Sequence, residues 1–146
     1  MRPLKNFEEF IKEGIIKKQS PDIDRANSLI KESIKSQKFL KDISEKIGVS
    51  NDNANNIIKN TYDIIMELIR ARMFMEGLNS SGYGAHEAEV SFLREIEFPE
   101  SEVQIINQLR YFRNGIMYYG KSFDKEYASK VLNLLRKVKN KLIKRP

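Results

Sequence analysis

The sequence has no cysteine, no tryptophan and only one histidine, His86, among its 146 residues. Without cysteine the chain can form no disulfide, no thiolate nucleophile and no cysteine-ligated zinc site. A single histidine also excludes a metal site built from several histidines within one protomer. The reactive groups left to this chain are arginine, lysine, tyrosine, carboxylates and one imidazole, so we expect no metal ion and no cofactor.

Long apolar runs are absent as well. No stretch approaches the roughly 18 apolar residues that a membrane span requires, and the first residues, MRPLKNFEEFIKEG, lack the apolar run of a signal peptide. We therefore predict a cytoplasmic protein without a membrane partner. No repeat and no long linker divides the sequence, which predicts a single domain over 1–146.

The spacing of apolar residues predicts helices. They recur at steps of three and four along most of the chain, and no stretch alternates with period two for long. The predicted fold class is all-α, an up-and-down bundle of four to five main helices with a short N-terminal helix, in which 1–18 pack onto the body as an appendage. The predicted segments are helices at about 6–18, 20–47, 52–76, 85–96, 99–120 and from 124 onward, with a flexible connection at 78–84.

Two of these helices carry packing predictions. The third helix has two apolar stripes, which start at Ala54 and Ile57, so it is either central in its own bundle or part of an intersubunit surface. The second helix begins at Ser20-Pro21 and ends before Gly48. Its predicted core stripe is Ile23, Ala26, Ile30, Ile34, Phe39 or Gln37, and Ile43.

Positive charge is concentrated at one end. The chain has 26 Lys and Arg against 20 Asp and Glu, a formal net charge of +6. The basic C-terminal helix end, 136–146, either contacts phosphates through a salt-sensitive attraction or complements the dipole of the last helix. Six cations and no acid lie there: Arg136, Lys137, Lys139, Lys141, Lys144 and Arg145.

The segment 109–120, LRYFRNGIMYYG, is the most informative stretch. The residues Arg113, Asn114 and Gly115 interrupt an apolar helical repeat, and each of them costs helix stability. We infer that the sequence keeps them for a function. The repeat that they interrupt predicts one core face: Ile105, Leu109, Phe112, Ile116 and Tyr119.

This segment resembles the signature of the HEPN domains, the higher eukaryote and prokaryote nucleotide-binding group. In that signature an Arg, often within Arg-Asn, is followed four to six residues later by His. Arg113 and Asn114 match it, whereas Tyr118 stands where many members have His. The order of segments over roughly 24–142, including Gly-Tyr-Gly-Ala-His-Glu before a short helix, is also similar to the family's.

The resemblance implies a homodimer in which the Arg motifs of two subunits line one cleft that binds RNA or nucleotide phosphates. It also implies metal-independent endoribonuclease activity of the toxin or RNA-processing type, in which Tyr118 would stand in the position of the motif His. The candidate catalytic residues are then Arg113, Asn114 and Tyr118. The candidate contacts to RNA or phosphate are Arg110, Tyr119, Lys121 and His86.

A second function implied by the resemblance is a non-catalytic interaction module. It would partner a minimal nucleotidyltransferase, as in a toxin–antitoxin pair. The two-sided third helix and the Arg-Asn helix would supply the interface, with Ile57, Leu68 and Met75 as anchors.

The residues themselves leave alternatives open for the motif. Arg110 and Arg113 are one turn apart and can together hold a phosphate. Alternatively, Arg113 makes a buried ion pair with an acid of the third helix, such as Asp63 or Glu67. Residue 118 lies about 140° from residue 113 around a regular helix, so one helix does not bring the two together.

His86 opens the short fourth predicted helix, and it also has two interpretations. It either fixes the loop or caps the helix, or it acts in catalysis or contacts RNA. In either role, the positive end of the helix dipole disfavours the imidazolium and lowers the pKa of this side chain.

Overall fold

Helices make up most of the computed structural model, which describes residues 2–120 and 122–143 but not the side chains of 116–119. The predicted all-α class is confirmed. A π-helical turn, Ile43–Ile47, prolongs the second helix as far as Gly48. The elements are α1 Phe7–Lys12, β1 Ile16–Lys18, α2 Ile23–Asp42, α3 Ala54–Met75, β2 Leu78–Ser80, α4 Ala85–Phe92, α5 Glu100–Tyr119 and α6 Lys125–Ile143.

The centre of the fold is α3, which packs against α2, α4, α5 and α6. Both of its apolar stripes are buried, and Ile58, Ile65 and Ile69 have no exposed surface. The prediction of a central helix is therefore confirmed. The prediction of Ile57 and Leu68 as anchors for a partner is wrong, because each is only 1% exposed and packs inside the chain.

The main helices run up and down. The start of α2 lies beside the end of α3, where the backbone N–H of Asp22 donates to the carbonyl of Phe74. The end of α6 lies beside the start of α5, where Lys141 Nζ contacts both carboxylate oxygens of Glu102 at 3.0 and 3.1 Å. In the described part of the chain, no helix combines the length and apolarity that a membrane crossing needs.

A small antiparallel sheet replaces two predicted features. The helix predicted over 6–18 is wrong beyond Lys12, because Ile16–Lys18 pairs with Leu78–Ser80. The flexible connection predicted at 78–84 is wrong at its start for the same reason. Strands of three residues are too short to show an alternating pattern, so this pairing is set by contacts distant in sequence.

The helix α2 buries only part of the stripe that its sequence predicts, since Ala26 is buried and Ile30 and Ile43 pack partly buried against the core. Its buried residues are Ala26, Ser33 and Leu40, whereas Ile34 and Phe39 are 57% and 58% exposed. The small Ala26 and Ser33 let α2 lie close against α3, and the Ser33 hydroxyl donates to the carbonyl of Ile30. The prediction placed Ile34 and Phe39 in the core because it followed the larger apolar residues, and at these two positions it is wrong.

Other boundaries shift by a few residues. The first residue of α2 is Ile23, because the side chain of Asp22 accepts the backbone N–H of Arg25 and caps the helix there. The helix predicted over 85–96 stops at Phe92 and gives way to turns. As predicted, Gly120 ends α5, and its φ of +63° is a conformation that glycine adopts without strain.

We expect Ile65→Ala to lower the free energy of unfolding by about 2–5 kcal/mol, because it leaves a cavity at the centre of the core. The matched variant Ile34→Ala removes the same atoms from an exposed site and should change it by no more than about 0.5 kcal/mol. Urea unfolding midpoints measure both. Equal losses in the two variants would contradict the placement of Ile34 at the surface.

Candidate functional site

The buried face of the motif-bearing helix α5 is rotated only in part relative to its sequence prediction. Leu109, predicted as core, has no exposed surface, whereas Ile105, also predicted as core, is 44% exposed, and Val103 and Ile106 are buried instead. The prediction for Ile105 is wrong because the buried face also includes the polar Glu102, so this face is not a continuous apolar stripe in the sequence. This rotation places the arginines of α5 at the border between core and solvent.

Arg113 forms a two-pronged ion pair with Asp63 of α3. Its Nε donates to Oδ1 at 3.3 Å and its Nη2 donates to Oδ2 at 3.2 Å. The predicted pairing with an acid of the third helix is thus confirmed, but the pair is not buried, since the Asp63 side chain is 51% exposed. A pair this open to water contributes little to stability, and Nη1 of Arg113 lies outside it.

Arg110 lies one turn before Arg113 and is held without a carboxylate. Its guanidinium lies 4.6 Å from the centre of the Tyr111 ring, and its Nε donates to Oδ1 of the buried Asn107 at 3.2 Å. Among the described residues Arg110 forms no ion pair. Its positive charge is therefore available to an anion from outside.

His86 reaches the same surface from the first turn of α4. The residue is exposed, and its ring centre lies 6.4 Å from that of the buried Tyr62. Partial desolvation of the ring lowers the pKa of His86, and the positive charges of Arg70 and Arg113 lower it further. The predicted direction is confirmed, although these causes differ from the helix dipole. At neutral pH the imidazole is uncharged and can accept a proton.

Arg70 of α3 completes the group and was missed by sequence reasoning. Its Nε lies 3.6 Å from Glu89, a carboxylate that is 2% exposed and accepts a hydrogen bond from the hydroxyl of Ser80. Burial raises the pKa of Glu89, an effect that Ser80 and Arg70 oppose. A signal was present, because Asp63 and Arg70 are seven residues apart and form a polar stripe on an otherwise apolar helix.

We call the group formed by Arg70, Arg110, Arg113 and His86, together with Asp63, the Arg–His surface. Three helices contribute to it: α3, α4 and α5. Three of the predicted site residues meet there, two from α5 and the histidine from α4. No sequence spacing links the histidine to the arginines, so only the packing of α4 against α3 and α5 brings them together.

The remaining predicted site residues are Asn114, Tyr118, Tyr119 and Lys121. Asn114 is exposed beside the Arg–His surface. The side chains of Tyr118 and Tyr119 and the whole of Lys121 lie outside the described residues. The backbone of α5 is helical through Tyr119, so positions 113 and 118 are about 140° apart around its axis.

The basic helix end is partly taken up by an internal acid. Glu102, only 4% exposed, pairs with Lys141 at 3.0 Å and with Lys137 at 3.7 Å. These two lysines therefore stabilise the start of α5, where a negative charge also suits the helix dipole. Lys144 and Arg145 lie outside the described residues.

No group of three or more metal-ligating side chains is found in the residues that the structure describes. Comparisons with protein-family models, with curated proteins and with solved structures found no match to this chain. The resemblance to the HEPN domains therefore stays a prediction that depends on the sequence motif. A function can be inferred from the geometry of the Arg–His surface.

We expect the single histidine resonance in a proton NMR titration to have a midpoint below the ordinary histidine pKa of about 6.5. Arg70→Gln removes a positive charge near the ring and should raise that pKa. Arg136→Gln makes the same charge change on α6 and should leave the pKa unchanged. An unaltered midpoint in the Arg70 variant would contradict the assigned electrostatics.

The same shift makes stability depend on pH. Between the lowered folded-state pKa of His86 and the ordinary value, the unfolded chain binds the proton more readily than the folded chain does. The His86 contribution to the free energy of unfolding is therefore lost as the pH falls through this window. Urea unfolding of the wild type and of His86→Gln across this pH range measures the effect, and it should be absent in the variant.

Proposed function

We propose that this chain binds single-stranded RNA at the Arg–His surface and that Arg110 and Arg113 hold its phosphates. One observation carries the proposal: the packing of α4 brings the only imidazole of the chain beside the arginines of the motif-bearing helix. Arginine suits this role because its planar group of donors matches two phosphate oxygens at once. The resemblance to the HEPN domains points to the same ligand.

The charges of the surface favour a phosphate at Arg110 first. Arg110 has no carboxylate partner among the described residues, whereas Arg113 shares its charge with Asp63. Because Asp63 is half exposed, a phosphate can reach Nη1 of Arg113, which has no partner among the described residues, without disturbing the core. Asp63 then limits the affinity, since its negative charge repels the ligand.

Two aromatic rings provide contacts for bases. Tyr83, in the loop that leads into α4, is 98% exposed, and Tyr111 lies under the Arg110 guanidinium. Unpaired bases stack on such rings with little dependence on sequence. Single-stranded RNA fits these contacts better than a duplex, whose bases are already stacked.

His86 adds proton transfer to this binding surface. As the neutral imidazole it takes the proton from a ribose 2′-hydroxyl, and the 2′-oxygen then attacks the adjacent phosphorus. The bond from phosphorus to the 5′-oxygen breaks, the leaving oxygen takes a proton from water, and the imidazolium gives its proton to the hydroxide that is left. The products are a 2′,3′-cyclic phosphate and a 5′-hydroxyl, while Arg110 and Arg113 stabilise the charge that develops on the phosphate.

The resemblance to the HEPN domains adds a homodimer to this proposal. In it, two copies of the Arg–His surface line one cleft, so that one copy supplies arginines to RNA held by the other. Sedimentation of the purified protein, with and without RNA, measures the oligomeric state directly.

We expect Arg110→Gln to weaken the binding of single-stranded RNA and to reduce the slope of log K against log salt by about 0.7, the loss of one phosphate contact. The matched control is Arg25→Gln, because Arg25 also lies 4.6 Å above an aromatic ring but belongs to the start of α2. Fluorescence anisotropy at several salt concentrations measures both.

Asp63→Asn tests the same surface through an expected gain in RNA affinity. It removes a repulsive charge and frees Arg113, so RNA affinity should rise, and a folding defect cannot mimic that result. If instead the ion pair is purely structural, this variant will lose stability and leave RNA affinity where it was.

We expect cleavage of mixed single-stranded RNA in EDTA to fall by about 100-fold or more in His86→Gln, which removes the proton acceptor. The variant should still bind RNA, because no phosphate contact is lost. Arg113→Gln should lower cleavage as well, while Arg25→Gln should not. Undiminished cleavage in His86→Gln would remove the histidine from the mechanism, and absence of cleavage by the wild type would leave binding alone.

A further inference from the structure

A concave surface lies between the end of α2 and the middle of α6. It is a groove of about 400 Å³, and it has no residue in common with the Arg–His surface. Four cations line it, with one acid, Glu45. The cations are Lys38, Lys41, Arg136 and Lys139. We call this feature the α2–α6 groove.

The cations of the α2–α6 groove have no carboxylate partner in an ion pair within the part of the chain that the structure describes. Among the described residues none of the four forms an ion pair, and Arg136 donates only to the amide oxygen of Asn133 at 3.0 Å. On the other face of α6, by contrast, Lys137 and Lys141 form ion pairs with Glu102. The two faces of α6 thus differ in how much positive charge they offer to a ligand.

The shape of the groove restricts what can enter it. Leu40, Leu132 and Leu135 line it and are only 3%, 8% and 5% exposed. These leucines cannot insert into a bilayer, and a flat membrane surface does not reach into a recess. A narrow, positively charged groove suits a flexible chain of phosphates, which single-stranded nucleic acid provides.

We propose that the α2–α6 groove is a second RNA contact, which binds the phosphodiester backbone of a single strand through Lys38, Lys41, Arg136 and Lys139. The identity of the ligand as RNA rests on the proposed function, whereas the groove itself rests on its own charges and shape. Binding here is independent of base sequence and sensitive to salt, because it depends on charge alone. It extends the RNA-binding area beyond the three helices of the Arg–His surface.

The test compares two triple variants that change the net charge equally. In the groove variant Lys38, Lys41 and Lys139 become Gln, and in the control Lys12, Lys17 and Lys18 become Gln. With labelled single-stranded RNA, the groove variant should lose about 2 from the slope of log K against log salt, at roughly 0.7 per phosphate contact. The control should keep the wild-type slope.

Glu45→Gln removes the one acid of the groove and should raise RNA affinity, so the proposal does not depend only on losses. Equal losses of affinity in the two triple variants would overturn it, since they would reflect net charge. So would an unchanged slope in the groove variant. Groove-dependent binding to vesicles of anionic phospholipid, with RNA binding unaffected, would also overturn it and identify a membrane as the ligand.

The same assay separates this proposal from the proposed function. If Arg110→Gln leaves RNA binding intact while the groove variant loses its salt dependence, the Arg–His surface fails and the α2–α6 groove stands. The reverse pattern rejects the groove and keeps the Arg–His surface. Circular dichroism of each variant confirms that its helices are intact.

Discussion

The burial of both apolar stripes of α3 is the constraint on which the rest of this structure depends. The isoleucines on these stripes are at most 1% exposed, and four other helices pack against α3. Removing this apolar surface from water is the main favourable term in folding. Because the packing of the core fixes α4 and α5 against α3, it also fixes which of their polar side chains meet.

The Arg–His surface follows from the one stripe of α3 that is not apolar. Asp63 and Arg70 project from that stripe, and each pairs with a neighbouring helix, Asp63 with Arg113 of α5 and Arg70 with Glu89 of α4. These contacts leave the surface with less positive charge than its three arginines suggest. Among the described residues Arg110 is the one arginine of this surface without a carboxylate partner, so the site combines its positive charge with a neutral imidazole.

The positive charge of the chain has two different uses. Glu102 at the start of α5 takes up Lys137 and Lys141, which makes part of the basic helix end structural. Arg136 and Lys139 lie on the other side of α6 and face the lysines of α2. A net charge read from composition cannot distinguish these uses, because it does not show which cations have a partner.

The sequence by itself determined the helical class and the end of α5 at Gly120, and it offered the central place of α3 and the pairing of Arg113 with an acid of the third helix as alternatives. Periodic apolar residues and helix-ending glycines are local signals, and they carry this information directly. The tertiary structure alone decided which stripes of α2 and α5 face inward, because small or polar residues such as Ser33 and Glu102 complete those faces. It also decided that His86 lies beside the arginines of α5, since only the packing of α4 brings together residues that no sequence spacing connects.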